Sequence, residues 1–344
     1  MVQFVGVSNV VRWVKARGIQ TILGELRGYV EDDYRNWPSF EAAPRVASHS
    51  AVGVIELMPT SNGELYGFKY VNGHPSNPAK GLQTVTAFGV LADVATGYPL
   101  LVAEMTVLTA LRTAATSAMA ASHLARKDSK VMAMIGAGSQ SEFQALAFRD
   151  ALGIQSLRVF DTDPDAVAKL VRNLAPLGFD VYIAHDAADA VNTADIITTC
   201  TADKVNATVL SNDMIVPGVH LNAIGGDCPG KTELDVEILK RADVFVEFPE
   251  QTRIEGEIQK LPADFPVTEL WEVVAGARTG RESDEQVTVF DSVGFAIEDF
   301  SVLRFLRDSV QGTTFFTDID LIADPDDPKN LFGLLEDSNA PVPA

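Results

Sequence analysis

The sequence predicts an α/β protein that combines a doubly wound parallel sheet with a second, discontinuous α+β domain. From Gly136 onward, short apolar strands alternate with helices, which is the order of an open parallel sheet covered on both faces. A glycine turn at Gly136 and Gly138 joins the first of these strands to a helix. The first hundred residues instead contain two amphipathic helices and then alternating strands, so they predict a separate unit.

The length of the chain agrees with this division. A chain of 344 residues is long for one domain. We expect residues 1–117 and 311–344 to form one discontinuous domain and residues 118–310 to form the parallel-sheet domain. The acidic segment from Thr313 follows the last predicted helix, and its simplest path returns it to the first domain.

The predicted elements follow the chain in two groups. In the first domain, two helices precede Asn36, and the strands after them are expected to pair antiparallel. These predicted strands cover 44–48, 52–58, 64–71 and a long pair over 84–103 that turns at 95–98. In the second domain, the predicted strands cover 131–135, 156–161, 181–184, 195–201, 219–224, 244–248 and 286–291. The predicted helices between and after them cover 141–153, 165–177, 187–192, 234–242 and 296–307.

The glycine turn indicates a dinucleotide-binding unit of the Rossmann type. Gly136 permits a tight turn after the apolar strand, and Gly138 lets the backbone approach a pyrophosphate that rests on the following helix N-terminus. The third glycine position of the usual fingerprint holds Ser141, so the glycines alone are a weak signal.

Asp161 strengthens that signal and predicts which dinucleotide binds. It ends the second strand at the distance where a carboxylate normally binds the ribose 2′-hydroxyl. Because a carboxylate repels a 2′-phosphate, Asp161 predicts NAD rather than NADP. The alternative is that Asp161 is a turn residue before a helix that Asp163 caps and Pro164 starts.

Composition excludes several classes of partner. The net charge of −20 argues against nucleic acid and anionic membranes as partners. The apolar run over 105–122 is rich in Thr and Ser and carries a central arginine, so we expect no membrane span, and the N-terminal residues lack the order of a secretory signal. Two cysteines, Cys200 and Cys228, favour reduced thiols in the cytoplasm. The five histidines are scattered without ligand spacing, so no metal site is predicted.

Four ionisable residues, Arg45, Glu56, Lys69 and Arg112, interrupt apolar surroundings in the first domain. Period-two alternation places Glu56 and Lys69 on faces that they share with apolar side chains. Arg45 begins a short strand, and Arg112 lies inside the apolar run over 105–122. Burying such groups unpaired costs several kcal/mol, so each needs a partner or a ligand.

Three cations and one anion leave a positive surplus, which a substrate carboxylate would balance. Lys69, Arg112 and Arg45 would hold that carboxylate, with arginine offering a bidentate fork. The alternative is that Glu56 pairs with Lys69 or Arg45 in a structural salt bridge and that the other groups lie at the solvent edge.

The loop GGDCPGKTEL, residues 225–234, follows a strand of the parallel sheet and should border the cofactor crevice. Beside an apolar nicotinamide ring, the pKa of Asp227 would rise enough for it to exchange protons with a substrate amine. Lys231 would reach the cofactor or pair with Asp227. The alternative is an ordinary loop in which the aspartate forms a turn.

Four segments of the sequence resemble one known family, in its order and along nearly the whole chain. They read FKYVNGHPSNPAKGLQTV, MIGAGSQSEFQALAF, NAIGGDCPGKTEL and VFDSVGFAIEDF. The chain thereby resembles the ornithine cyclodeaminase and mu-crystallin family, and its GGDCPGKTEL loop is similar to the cyclodeaminase branch. The resemblance implies a homodimer formed by the first domain.

The resemblance also implies roles for individual residues. It implies that Arg45, Lys69 and Arg112 bind the carboxylate of an amino acid and that Asp227 is the catalytic acid and base. Glu56 would bind or orient the side-chain amine, and Val293 would contact the substrate. The residues that the resemblance implies bind the cofactor, together with Gly136 and Gly138 of the glycine turn, are Thr84, Arg112, Ser139, Gln140, Asp161, Thr201, Lys231 and Ser292.

The activity implied is conversion of L-ornithine to L-proline and ammonia with tightly held NAD. One alternative is a lysine cyclodeaminase that forms L-pipecolate, because one extra methylene is worth only about 1–3 kcal/mol of discrimination. Others are an NAD(P)-dependent amino acid dehydrogenase or imine reductase, and a non-catalytic, crystallin-like nucleotide-binding protein.

Overall fold

The computed structural model describes residues 1–202 and 208–336, so the end of the predicted 311–344 segment lies outside the described residues. Within these ranges the strands are β1 (Val2–Val5), β2 (Val46–Ser50), β3 (Gly53–Ser61), β4 (Leu65–Gly73), β5 (Val85–Asp93), β6 (Pro99–Glu104), β7 (Val131–Ile135), β8 (Ser156–Phe160), β9 (Asp180–Ile183), β10 (Ile196–Thr199), β11 (His220–Ala223), β12 (Asp243–Val246), β13 (Thr268–Glu269), β14 (Thr288–Asp291) and β15 (Thr317–Ile319). The helices are α1 (Val7–Arg17), α2 (Ile19–Arg35), α3 (Thr106–Leu124), α4 (Ser141–Leu152), α5 (Pro164–Leu174), α6 (Ala187–Val191), α7 (Val236–Arg241), α8 (Pro249–Glu255), α9 (Leu270–Val274), α10 (Ala296–Val310) and α11 (Gly333–Glu336).

The strands form two sheets. Eight of them form a parallel sheet in the order β13-β12-β14-β11-β10-β7-β8-β9. Apart from β10 and β11, strands that follow one another in the chain are joined by α-helices. The predicted α/β fold class with its doubly wound parallel sheet is therefore confirmed. The order reverses on either side of β7, where β10 and β8 flank the strand that precedes the glycine turn. A dinucleotide binds at such a switch point in open α/β sheets.

The other seven strands form a mixed sheet in the order β15-β1-β6-β5-β4-β3-β2. Strands β2 to β6 pair antiparallel, as predicted. Strand β1 pairs parallel with β6, and β15 adds antiparallel to β1 at the sheet edge. The segment after α10 therefore returns to the sheet that the first residues build.

Two helices connect the sheets. Helix α3 is buried over most of its length and contacts β5 of the mixed sheet as well as β11 and β14 of the parallel sheet. Helix α10 follows β14 but packs against α2, α3 and strands β3 to β5. The predicted domain boundary at 117/118 falls inside α3, and the one at 310/311 falls at the end of α10. Both boundaries stay a prediction.

Strands β1, β13 and β15 were not predicted. Strands β13 and β15 contain two and three residues, too few for a period-two pattern to be distinguished from loop sequence. The four residues of β1 lie in the segment before Asn36 for which only helices were predicted. The described residues contain no helix that is long and apolar enough to cross a membrane.

Candidate active site

Most of the predicted site residues lie at two places in the structure. One is the edge of the parallel sheet where its strands end, which carries the glycine turn after β7, Asp161 after β8 and the loop after β11. The other is the face of β3 and β4 that packs under α10. On those strands Glu56 and Lys69 are buried with Met58 and Val71, so the predicted alternation is confirmed.

The guanidinium of Arg45 joins three separate parts of the chain. Its Nη1 donates to Glu56 Oε2 at 3.1 Å, and its Nε lies 3.1 Å from Glu255 Oε2 on α8. Its Nη2 donates to the carbonyls of Val293 and Gly294, at 2.7 Å each. Arg45 thus donates three hydrogen bonds, while its Nε is paired with Glu255 by charge without a hydrogen bond. The predicted alternative of a salt bridge between Glu56 and Arg45 is thus present.

Lys69 and Arg112 are paired with two carboxylates at the start of α10. Lys69 Nζ lies 2.8 Å from the carboxylate oxygens of Asp299. Arg112 Nε lies 3.0 Å from Asp299 Oδ1, and its Nη1 donates to Glu298, which in turn accepts from the hydroxyl of Tyr34 at 2.9 Å.

These pairs correct two expectations from the sequence. Lys69 and Arg112 are 2% and 5% exposed, so they do not lie at the solvent edge. The positive surplus is also wrong, because Glu255, Glu298 and Asp299 add three carboxylates to Glu56 and outnumber the three cations. The missed signal was the dipeptide Glu298-Asp299 in the first turn of an apolar helix, the same kind of interruption that identified Lys69.

Burial shifts the pKa values of several of these groups toward neutral pH. Burial, with the charge of Arg112 acting in the same direction and Asp299 opposing it, lowers the pKa of Lys69 to about 8. Burial raises the pKa of Glu298 to about 7 against the opposing effect of Arg112. Burial also raises the pKa of Glu255 to about 7, again against an arginine, Arg45, while Glu56 and Asp227 add to the rise.

Asp227 lies in the glycine-rich loop after β11 and pairs with Lys231. Its side chain is 55% exposed, and Lys231 Nζ lies 3.3 Å from its Oδ1. Burial opposes the charge on Lys231, but Asp227 and Glu233 outweigh it and raise the pKa of Lys231. Lys231 also donates to the carbonyl of Thr201 at 3.0 Å, so it connects Asp227 to the loop after β10.

The turn that follows α8 forms hydrogen bonds to the glycine-rich loop that carries Asp227. Gln259 accepts from Gly230 N at 2.7 Å and donates to the carbonyl of Lys231 at 3.0 Å. The carboxylate of Glu257 accepts from the backbone N–H groups of Glu233 and Leu234 at 2.7 and 2.9 Å. The position of Asp227 is therefore fixed by groups that sequence reasoning did not identify.

A buried glutamate organises the segment after β14. Glu247 is fully buried, and its carboxylate accepts from Ser292 Oγ at 2.6 Å and from the backbone N–H groups of Val293 and Gly294 at 3.3 and 3.1 Å. Burial raises the pKa of Glu247. Because the carbonyls of Val293 and Gly294 accept from Arg45, Glu247 indirectly positions Arg45.

The glycine turn has the shape of a phosphate-binding site. Gly136 has a φ of +106°, and a Cβ there would lie 2.7 Å from the carbonyl oxygen of Cys200. No atom lies within 4 Å of the position that a Cβ of Gly138 would occupy, so the backbone is open there. Gln140 Oε1 is buried without a hydrogen-bond partner at the start of α4.

Asp161 lies beside this turn. Its Oδ2 accepts from Ala137 N at 2.7 Å, and its Oδ1 accepts from Asp163 N at 2.8 Å. It therefore shapes the glycine turn and also begins the turn into α5, where Asp163 is the N-cap. Ser139 lines a neighbouring cleft of about 450 Å³ together with Phe143 and Leu174.

The remaining predicted residues differ in how far they join this arrangement. Thr201 donates from its backbone N to Glu233 at 2.9 Å and is linked to Asp227 through Lys231. Thr84 lies before β5, and the hydrogen bonds to its carbonyl come from His74 and Asn72 rather than from the buried cluster. Among the described residues, no group of His, Cys, Asp and Glu has an arrangement that could hold a metal ion.

Comparison with known proteins identifies the family. The family model of ornithine cyclodeaminase and mu-crystallin matches residues 7–314. A protein named ornithine cyclodeaminase from Agrobacterium fabrum (strain C58) is 62% identical over 335 residues, which are 97% of this chain and 95% of that protein.

Two solved structures share the fold along nearly the whole chain. A lysine cyclodeaminase, described for its recognition of L-lysine, L-ornithine and L-2,4-diaminobutyric acid, is 32% identical with a TM-score of 0.86, covering 95% of this chain and 97% of its own. An archaeal alanine dehydrogenase dimer with bound NAD is 33% identical with the same TM-score of 0.86, covering 93% of this chain and 99% of its own. The resemblance drawn from four sequence motifs is therefore confirmed, and the chain belongs to the ornithine cyclodeaminase/mu-crystallin family.

Proposed function

We propose that this protein is an NAD-dependent ornithine cyclodeaminase, an ammonia-lyase that converts L-ornithine to L-proline and ammonia. Similarity of about 60% identity to proteins of that name, over nearly the full length of both chains, supports the activity. The structural observation that carries it is a buried cluster in which three cations, Lys69, Arg112 and Arg45, lie beside carboxylates that include Glu56 and Glu255. A diamino acid offers a carboxylate to the cations and a second amine to the carboxylates.

The residues at the glycine turn fit NAD. Open backbone at Gly138, the unpartnered Gln140 Oε1 and the N-terminus of α4 supply groups for a pyrophosphate and its ribose. Asp161 would accept from a ribose hydroxyl, and Thr201, Lys231 and Ser292 would line the nicotinamide end, with Thr84 and Arg112 as further contacts. When bound, NAD would supply a hydride acceptor for the substrate Cα and a hydride donor for the ring imine, so the overall reaction would involve no net oxidation.

Lys69 and Arg112 are the main groups for the substrate carboxylate. Asp299 and Glu298 form ion pairs with Lys69 and Arg112, which favour the charged form of both cations and fix their orientation. Arg45 donates three hydrogen bonds to the protein out of five N–H groups, and a remaining N–H group would add to the binding of the same carboxylate. Val293 contacts Arg45 through its carbonyl and would bring its side chain against the substrate.

Asp227 is the group that moves protons. It takes a proton from the side-chain ammonium, and the neutral amine can then attack the Cα imine carbon and close a five-membered ring. It gives the proton to the α-nitrogen, which departs as ammonia. Lys231 holds Asp227 toward the site, and Glu56 orients the side-chain amine.

Lysine is a second candidate substrate, because the similar lysine cyclodeaminase structure includes both L-lysine and L-ornithine among the amino acids recognised. The extra methylene changes the binding free energy by only about 1–3 kcal/mol. A panel of diamino acids, with proline, pipecolate and ammonia measured as products, ranks the two.

The deciding experiment incubates purified protein with catalytic NAD and L-ornithine. We expect proline and ammonia in equal amounts without accumulation of free NADH. NADH formed in step with turnover would instead identify a net dehydrogenase. Asp227→Asn should abolish turnover while NAD still binds, and the exposed Asp264→Asn serves as the matched control.

We also infer a homodimer that buries the outer face of the mixed sheet. Leu57, Tyr70 and Phe88 lie side by side on β3, β4 and β5, on the face opposite Lys69. Leu57 and Phe88 are 44% and 45% exposed, and the rings of Tyr70 and Phe88 stack at 5.1 Å. An apolar row of this kind marks an interaction surface. Leu57→Lys should yield a monomer by light scattering if this face is the interface.

A cytoplasmic location and a role in supplying proline follow from the same proposal. No disulfide is formed within the described residues, and Cys200 has its pKa raised by burial, as expected of an unreactive thiol. Cell fractionation and growth of a deletion strain on ornithine test these two points.

A further inference from the structure

We propose that Glu255 is a further substrate-binding residue that, with Glu56, binds the side-chain ammonium of the diamino acid and gives the site its preference for a second amine. This inference rests on the proposed function. Glu255 is the last residue of α8 and is only 4% exposed. No sequence motif singled it out.

The first observation is the arrangement around Arg45. Glu56 and Glu255 each lie 3.1 Å from a different nitrogen of the guanidinium, so they flank it from two sides. Both carboxyl side chains are more than nine-tenths buried, at 8% and 6% exposure. Asp227 is close enough to act electrostatically on both Arg45 and Glu255.

The second observation is the balance of charge. Two buried carboxylates, Glu56 and Glu255, share the single guanidinium of Arg45, and Asp227, which pairs with Lys231, is a third acidic group nearby. Burial raises the pKa of Glu255 to about 7 against the opposing charge of Arg45, and Glu56 and Asp227 add to the rise. A bound ammonium supplies the missing positive charge and donates up to three hydrogen bonds.

The third observation is the free acceptor. Glu255 Oε2 is buried and lies near Arg45 Nε without a well-formed hydrogen bond, although the two charges are 3.1 Å apart. A carboxylate oxygen in that condition can accept from a ligand. The carboxylate-binding pair Lys69 and Arg112 is held by other acidic groups, Glu298 and Asp299, so Glu255 is not needed there.

Binding of L-ornithine and L-norvaline tests the proposal. Norvaline has the carbon chain of ornithine without the side-chain amine, and protein saturated with NADH does not consume either ligand. For Glu255→Gln, calorimetry should show about 10- to 100-fold weaker ornithine binding, as expected for loss of a charge-assisted hydrogen bond, and norvaline binding within about twofold of wild type. Glu255→Asp should fall between the two proteins.

Other outcomes overturn the proposal. Equal loss of affinity for both ligands would mean that Glu255 only positions Arg45, and unchanged ornithine binding would remove it from the site. The matched control is Glu250→Gln, an exposed glutamate on the same helix, and the melting temperature of each variant reports on folding. If wild type binds ornithine without forming proline, the proposed function fails while the comparison of ligands still decides the role of Glu255.

Discussion

Lys69 and Asp299 form a buried ion pair between β4 and α10, with Nζ 2.8 Å from the carboxylate and side chains 2% and 1% exposed. The two residues are 230 positions apart in the chain. The pair links the face of the mixed sheet to the helix that follows the last strand of the parallel sheet. It therefore couples β4, which carries the proposed substrate-binding residue Lys69, to the segment that carries Ser292 and Val293.

Asp299→Asn should destabilise the protein and change its pH profile. Removing one partner of a buried ion pair costs about 3–5 kcal/mol. Without Asp299 the pKa of Lys69, already lowered to about 8 by burial, falls further, so Lys69 loses its proton at lower pH. Because substrate binding needs the charged form, the alkaline limb of kcat/KM for ornithine should move to lower pH.

Urea unfolding and rates between pH 6 and 9 measure the two effects of Asp299→Asn. Asp308→Asn is the control, because Asp308 is exposed on the same helix and an asparagine Oδ1 can still accept the hydrogen bond from the Tyr29 hydroxyl; it should change the free energy of unfolding by about 0.5 kcal/mol or less. An unmoved alkaline limb would show that Lys69 does not titrate in the binding step.

Gly294→Ala should damage the site beyond the cost of its backbone conformation. Gly294 has a φ of +75°, and a Cβ would lie 2.6 Å from Arg112 Nη1. Gly312 has a φ of +71° with nothing within 4 Å of its Cβ position, so Gly312→Ala reports the backbone cost alone, about 1–2 kcal/mol. We expect Gly294→Ala to lower the melting temperature more and to raise the KM for ornithine. Equal effects of the two variants on both quantities would contradict this.

Glu257→Gln should change how stability depends on pH. Burial raises the pKa of Glu257 to about 7, so the folded state holds a proton that the unfolded chain releases near pH 4.5. The stability that this group contributes is present at low pH and is lost as pH rises through 7, a change of about 3 kcal/mol. The free energy of unfolding of Glu257→Gln should therefore rise relative to that of wild type between pH 4.5 and 7. Above pH 7 the difference between the two proteins should stay constant.

Denaturant unfolding at several pH values measures this slope, which is independent of the fixed cost of placing an amide at that position. Glu285→Gln, an exposed glutamate, should run parallel to wild type at every pH. A Glu257→Gln curve that also runs parallel would mean that Glu257 is ionised in the folded protein.

Asp161→Asn should weaken the binding of NAD and reduce the preference of the protein for NAD over NADP. The amide can accept from only one of the two backbone N–H groups that bond to Asp161, and it removes the charge that repels a 2′-phosphate. Fluorescence titration with both dinucleotides gives the two dissociation constants. Asp163→Asn, which keeps a capping residue at the start of α5, is the control. If the ratio of the two constants is unchanged, another residue binds the ribose.

Most of the parallel sheet could be predicted because its signals are local. Each strand is an apolar run, each helix has its own period, and the turn at Gly136 needs a backbone conformation that only glycine adopts readily. The same local logic identified Glu56, Lys69 and Arg112 as charges within apolar surroundings. It did not identify β1, β13 and β15, whose few residues become strands only because a neighbouring strand accepts their hydrogen bonds.

The sequence by itself determined which residue types interrupt the core and that a dinucleotide turn lies mid-chain. Tertiary structure alone decided their partners. Asp299 reaches Lys69, and Glu255 reaches Arg45, across more than two hundred residues of chain, because α10 and α8 pack beside the face of the mixed sheet. The cost of burying a charge can be inferred from its neighbours in sequence, but the group that compensates the charge depends on which distant elements fold against it.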